Sequence, residues 1–228
     1  MSIFSFLIPK YHNKIIICIH GFGRTQSDEY LELKNYLKKY KFSIPMLYDI
    51  YNENDDNYEE WLNRAEEVID LYKNTKKEII LIGYSMGGVI ATNFATKANV
   101  KKLILLAPAF EYITLSNAID VVSKIFKTKK EPNDSIYPEL PENFTLTFRT
   151  LVESCKDKIS DIDVPTLIIH GTSDPTIKAS TSKKYYKKIK HNKKHLVFLQ
   201  DVDHHILKDN EQGIIAMKLI KSFIEDEI

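Results

Sequence analysis

One stretch constrains this chain more than any other: Lys77-Glu78-Ile79-Ile80-Leu81-Ile82-Gly83-Tyr84-Ser85-Met86-Gly87-Gly88. Ile79 to Ile82 is an unbroken apolar run, as expected of a strand buried on both faces of a parallel sheet. From Gly87 to about Lys97 small or apolar residues (Gly88, Ala91, Ala95; Val89, Ile90, Phe94) predict a helix. Gly83-x-Ser85-x-Gly87 joins the two. A turn that sharp strains the serine backbone and leaves no room for a Cβ two residues to either side. The sequence therefore predicts a serine hydroxyl at the carboxyl end of a central strand, with the positive end of a helix beneath it. An ordinary glycine-rich turn with a capping serine is the alternative reading.

Around this stretch strand and helix alternate, the pattern of a parallel α/β sheet. An edge strand is expected at Ile3 to Ile8 and buried strands at Lys14 to Ile19, Leu103 to Leu106 and Thr166 to Ile169. Shorter strands are expected at Ile44 to Tyr48 and Lys194 to Leu199. Helices are expected from Ser27 to Tyr40, opening with Asp28 and Glu29 in the first turn, and over Tyr58 to Tyr72, Lys178 to Lys190 and Asn210 to Glu225. The rhythm breaks between residues 110 and 160. This span holds a helical pattern at Asn117 to Phe126, a loop with Pro132, Pro138 and Pro141, and a second helical pattern through Phe144, Phe148, Leu151, Val152, Cys155 and Ile159. It reads as a cap inserted into a single domain spanning residues 1–228.

Several functions are disfavoured. With 32 basic and 31 acidic residues the net charge is +1, which argues against nucleic acid or an anionic membrane as the main partner. The lysines between Lys183 and Lys194 read as a solvated helix face. Two cysteines, Cys18 in a strand and Cys155 in a helix, form no disulfide or zinc pattern. The apolar start has no basic region or cleavage site, and no apolar run reaches membrane-spanning length. A cytoplasmic protein is expected, with no cofactor and no metal. The oligomeric state is left open.

A serine hydroxyl is a poor nucleophile without a positioned base, itself oriented by a carboxylate. Reactive groups in open α/β sheets gather outside the carboxyl ends of the strands. Ser85, Asp174 and the His204-His205 pair all fall there, in the order serine, acid, histidine. Asp161 and Asp163 lie at the wrong end of their strand, and Glu111 is a weaker fallback for the acid. Either histidine fits the base. A metal site built from Asp201, Asp203 and the histidines is the competing reading. Backbone N–H donors for an oxyanion are expected from Met86, after the serine, and from Phe22 in His20-Gly21-Phe22-Gly23. His20 is expected to hold that loop.

These residues resemble the α/β-hydrolase superfamily along essentially the whole chain, and small carboxylesterases of the monoacylglycerol-lipase-like type within it. The resemblance rests on Ile17-Cys18-Ile19-His20-Gly21-Phe22, Gly83 to Gly88, Val164-Pro165-Thr166 leading to Asp174, and Asp203-His204. It implies Ser85 as nucleophile, Asp174 as acid, His204 as base, and Phe22 and Met86 as oxyanion donors. Asp201 and Asp203 stand where that family carries glycines. It also implies that cap residues, Phe148, Leu151 and Val152 among them, line an acyl pocket; simple packing of that helical face onto the core is the alternative. The activity expected is hydrolysis of small-molecule carboxylic esters through an acyl-enzyme. A thioester, amide or C–C substrate, or a non-catalytic ligand-binding protein, are the rival readings.

Overall fold

β-branched and leucine-rich runs, apolar on both faces, can satisfy their backbone only by pairing inside a sheet. In the computed structural model, which describes residues 13–24, 28–97, 99–111, 140–208 and 211–228, they do so as six strands. These are β1 (Lys14–Ile19), β2 (Lys41–Ser43), β3 (Glu78–Tyr84), β4 (Val100–Leu106), β5 (Thr166–Gly171) and β6 (Lys194–Leu199). Their order is β2-β1-β3-β4-β5-β6 and every pairing is parallel. The connecting helices are α1 (Leu31–Tyr36), α2 (Tyr58–Asp70), α3 (Met86–Phe94), α4 (Glu142–Cys155), α5 (Ala179–Tyr186) and α6 (Gln212–Ile224).

Alternation along the strands divides the core in two. Ile15, Ile17, Ile79, Leu81, Leu103, Leu105 and Ile168 face one layer, with Trp61 and Ala65 of α2, Val89 and Ile90 of α3, and Phe144 and Leu151 of α4. Ile16, Cys18, Ile80, Ile82, Ile104, Leu167 and Ile169 face the other, with Leu33 of α1 and Ile220 and Phe223 of α6. Both cysteines are buried and unpaired. The open end of α6 is closed by strand lysines: Lys14 Nζ donates to Ile224 O at 2.8 Å, and Lys102 Nζ donates to Ile224 O at 3.3 Å and to Asp226 at 2.7 Å.

Two expectations change. The second strand is Lys41–Ser43, and residues 44–49 form no regular element. Pro45 has no N–H to give a ladder, and Leu47 and Tyr48 are apolar because they are buried beneath the loop after β1. The helix predicted from Ser27 is a 3₁₀ turn, Asp28–Tyr30, followed by the short α1. The edge strand expected at Ile3 to Ile8, the helix expected at Asn117 to Phe126 and most of the proline-bearing loop lie outside the described residues. What is described of the insertion, α4, packs on α2 and α3.

Candidate active site

The turn between β3 and α3 is as tight as its glycines imply. A Cβ on Gly83 would lie 2.2 Å from Gly87 O, and one on Gly87 would lie 2.0 Å from Ile19 O. Ser85, between them, takes φ 51° and ψ −117°, a conformation that costs a non-glycine residue ~1–3 kcal/mol and persists only where the surroundings impose it. The surroundings are two backbone bonds to the end of β4: Ser85 N–H to Leu106 O at 2.9 Å and Ala109 N–H to Ser85 O at 3.0 Å.

The candidate acid and base come from the loops after β5 and β6. Gly171 lets those loops touch, since a Cβ there would sit 2.2 Å from Val202 O. His204 Nδ1 lies 2.7 Å from Asp174 Oδ2. An ionised carboxylate can only accept, so Nδ1 carries the proton and Nε2 is left basic. Asp174 is fully occupied. Its Oδ1 accepts from Thr176 N–H at 2.8 Å and Ile177 N–H at 2.9 Å, and His170 Nε2 stands 3.2 Å from Oδ2. Burial alone would raise its carboxyl, but His170 and His204 against it and the Ile177 N–H hold it well below the usual carboxylate range.

Of the two adjacent histidines, His204 is the one that meets Asp174. His205 donates its backbone N–H to Asp203 Oδ1 at 2.7 Å. Burial, and then the neighbouring His204, push the His205 ring down to about 4. Ser85 and His204 share no hydrogen bond, as is common in ligand-free sites whose catalytic bonds tighten with substrate. The elbow is nonetheless tied to the histidine loop. Tyr84 Oη donates to His204 O at 2.5 Å and accepts from Ile206 N–H at 2.6 Å. Among the described residues, no three His, Cys, Asp or Glu side chains are placed to hold a metal ion.

Phe22 and Met86 each offer a backbone N–H near the serine: Met86 follows Ser85 directly, and a Cβ on Gly21, the residue before Phe22, would lie 3.4 Å from Ser85 Cβ. Met86 opens α3, so its N–H has no acceptor within its own helix. The Phe22 N–H has no protein acceptor among the described residues. Its neighbours are firmly held. Gly21 O accepts from His20 Nδ1 at 2.9 Å and from Tyr48 Oη at 3.2 Å, and Gly23 N–H donates to Tyr48 Oη at 2.6 Å.

The helical face expected to line an acyl pocket divides. Leu151 and Val152 are wholly withdrawn from solvent in the core layer shared with α2 and α3, and they act there as packing. The periodic stripe that marked them signals burial, which a core satisfies as well as a pocket does. Phe148 is different: its ring stacks on Phe22 at 4.9 Å, against the candidate oxyanion loop.

Residues 54–141 and 128–211 match the profile of the family described as serine aminopeptidase, S33. The chain belongs to that S33 hydrolase family. A Mycoplasma genitalium protein carrying the name esterase/lipase 2 is 32% identical over 135 residues, 55% of this chain and 49% of its own. The chain thus spans about half the length of that relative. Among solved structures, a metagenome-derived lipolytic enzyme of the LipS and LipT pair superposes with a TM-score of 0.75 at 15% identity, over 94% of each chain. A soluble variant of the Saccharomyces cerevisiae monoglyceride lipase, solved with a substrate analogue, does so with a TM-score of 0.73 at 15% identity, over 94% of this chain and 86% of its own. The chain has the α/β-hydrolase fold. No described helix is long and apolar enough to cross a membrane.

Sequence reasoning missed three parts of the site in this S33 hydrolase. Tyr84 had a signal, being an aromatic with a polar end inside the elbow. His170 ends a strand as part of a His-Gly pair, and its Nδ1 meets Ser182 Oγ at 2.7 Å. Glu29, expected only as an acid in the first turn of a helix, points inward, its Oε2 accepting the Gly21 N–H.

His20 supplies a test of the loop's electrostatics. Its Nδ1 donates to Gly21 O while its Nε2 accepts from Leu47 N–H at 3.3 Å, a pair of bonds that only the neutral ring can make. Burial pushes its pKa down from 6.5 to about 4, the Gly21 bond pulling the other way. Below pH 6.5 the unfolded chain therefore binds a proton that the folded chain refuses, so stability falls as pH drops from 6.5 towards 4. The expected loss is about 3 kcal/mol. Urea midpoints across that range should fall by about that much more in the parent than in His20→Gln, which keeps the share that the similarly depressed His205 contributes. Parallel curves would mean that His20 titrates as if exposed.

Proposed function

We propose that this protein is a serine ester hydrolase acting through an acyl-enzyme on Ser85. The observation that carries this reading is the Asp174–His204 pair, bonded at 2.7 Å with Nε2 left basic, whose loop Tyr84 ties to the elbow that holds Ser85 in strained geometry. In this reading His204 takes the Ser85 proton as the hydroxyl attacks the ester carbonyl, and Asp174 stabilises the imidazolium. The Phe22 and Met86 N–H groups receive the developing oxyanion, a contribution of ~3–4 kcal/mol for one such donor. His204 then protonates the leaving alcohol, and water repeats the sequence to release the acid. Phe148, against Phe22, would border the acyl chain, and residues 110–160 would form a cap over the active face of a single domain. The esterase and lipase names among its relatives support a small-molecule ester substrate, and a cytoplasmic location remains part of the proposal.

A fluorophosphonate should label Ser85, identified by mass on its peptide. p-Nitrophenyl esters of rising chain length should gain roughly threefold to fourfold in kcat/KM per methylene until the pocket is full. An aminoacyl p-nitroanilide, included because of the family's aminopeptidase description, should be turned over far more slowly. Efficient anilide cleavage with weak ester cleavage would move the substrate class to amides. His204→Ala should lose several orders of magnitude in kcat and His205→Ala much less; the reverse ranking would transfer the role of base.

A further inference from the structure

Glu29 is a buried carboxylate for which the proposed chemistry has no use. It is 8% exposed. Its Oε2 accepts the Gly21 N–H at 2.7 Å, and its nearest cation among the described residues, Arg24 Nε, is 3.9 Å from Oε1. Gly21, which it holds, also neighbours Ser85: a Cβ on Gly21 would lie 2.9 Å from Glu29 Oε1 and 3.4 Å from Ser85 Cβ. Burying a carboxylate with one backbone bond and one distant cation is costly. Consistently, burial raises its pKa, against the pull of the Gly21 N–H and of the nearby Arg24, His204 and Lys208.

What Glu29 does there follows from the chain it grips. Glycine is the residue least able to fix its own backbone, and Gly21 stands directly before the candidate oxyanion donor. A trans peptide points its N–H opposite to its C=O. The bonds from His20 and Tyr48 to Gly21 O therefore set the direction of the Phe22 N–H. They fix only the peptide after Gly21; the peptide before it is held through its N–H by Glu29.

We propose that Glu29 is a positioning residue for the oxyanion hole, immobilising Gly21 from its N-terminal side so that the Phe22 N–H stays aimed beside Ser85. The proposal rests on the ester-hydrolase reading for its catalytic consequence. It predicts that the acceptor atom matters and the negative charge does not, because a charge next to a developing oxyanion opposes it.

The test compares the full chain with Glu29→Gln, which keeps an acceptor at the same reach, and Glu29→Ala, which removes it. On p-nitrophenyl butyrate Glu29→Ala should lose roughly 30- to 100-fold in kcat, with KM within threefold, as expected when one oxyanion donor is misaligned. Glu29→Gln should stay within about fivefold of the parent on the same reasoning. Amide hydrogen exchange gives a readout independent of activity: Gly21 should be protected in the parent and in Glu29→Gln and exchange fast in Glu29→Ala. Should Glu29→Ala not fold, Glu29→Asp, whose acceptor is drawn back by one methylene, replaces it with the same expectation. A variant without the acceptor that keeps kcat and Gly21 protection would overturn the proposal, as would equal kcat losses in the Gln and Ala variants. If the parent itself cleaves no ester, the ester-hydrolase reading fails separately, and Gly21 exchange alone decides whether Glu29 fixes the loop.

Discussion

Ser85→Ala is expected to lower ester hydrolysis by roughly four to six orders of magnitude in kcat while leaving the melting temperature within a few degrees of the parent. The hydroxyl supplies chemistry, whereas the turn is imposed by backbone bonds to Leu106 and Ala109 that alanine keeps. Asp174→Asn should lose about four orders of magnitude, because an amide no longer fixes the tautomer that leaves Nε2 basic. The two losses should not add, since both disable one proton relay. Initial rates on a p-nitrophenyl ester, with a melting curve for each variant, are sufficient. Activity within tenfold of the parent in Ser85→Ala would remove the serine from the mechanism.

The largest expected effect on stability belongs to Gly87→Ala. The added methyl would meet Ile19 O at 2.0 Å and His20 O at 2.6 Å, both main-chain atoms at the end of β1. Main chain locked in a parallel ladder cannot swing aside as a side-chain tip can, so α3 would have to lift from the sheet. We expect a loss of more than about 4 kcal/mol, or no folded protein at all. Gly213→Ala is the comparison. There the nearest atoms lie 3.0 Å away, and alanine recovers ~1 kcal/mol of helix propensity, so the net change should be small. Urea unfolding of both variants decides it. A Gly87→Ala protein within 1 kcal/mol of the parent would mean that helix and strand can separate at little cost.

The residues that were legible in the sequence announce themselves locally. Ile79 to Ile82 and Ile15 to Ile19 are too apolar to be anything but buried strands, and the elbow needs its glycines wherever it occurs. Asp174 and the histidine pair could be placed because they follow strands, and strand ends are where a parallel sheet collects its reactive groups. What could not be read depends on partners distant in sequence. Leu47 and Tyr48 have strand-like composition, yet their burial serves the loop after β1. Glu29 sits where a solvent-facing acid is expected at a helix start; only its bond to Gly21 shows that it faces inward. The stripe containing Leu151 and Val152 is the same pattern whether a helix packs on a core or roofs a pocket. The choice between His204 and His205 turned on which ring reaches Asp174, a matter of loop path that composition does not encode.

The strand order has a consequence for how such a chain is made. After β3, each new strand is laid on the same growing edge in the order in which it is translated: β4, then β5, then β6. Ser85, the proposed nucleophile, is therefore present long before its proposed partners, and the His204 imidazole arrives last, on the loop after β6. A nascent chain interrupted before residue 204 would carry its serine with no base to deprotonate it. On the proposed mechanism, synthesis itself holds the chemistry silent until the sheet is finished.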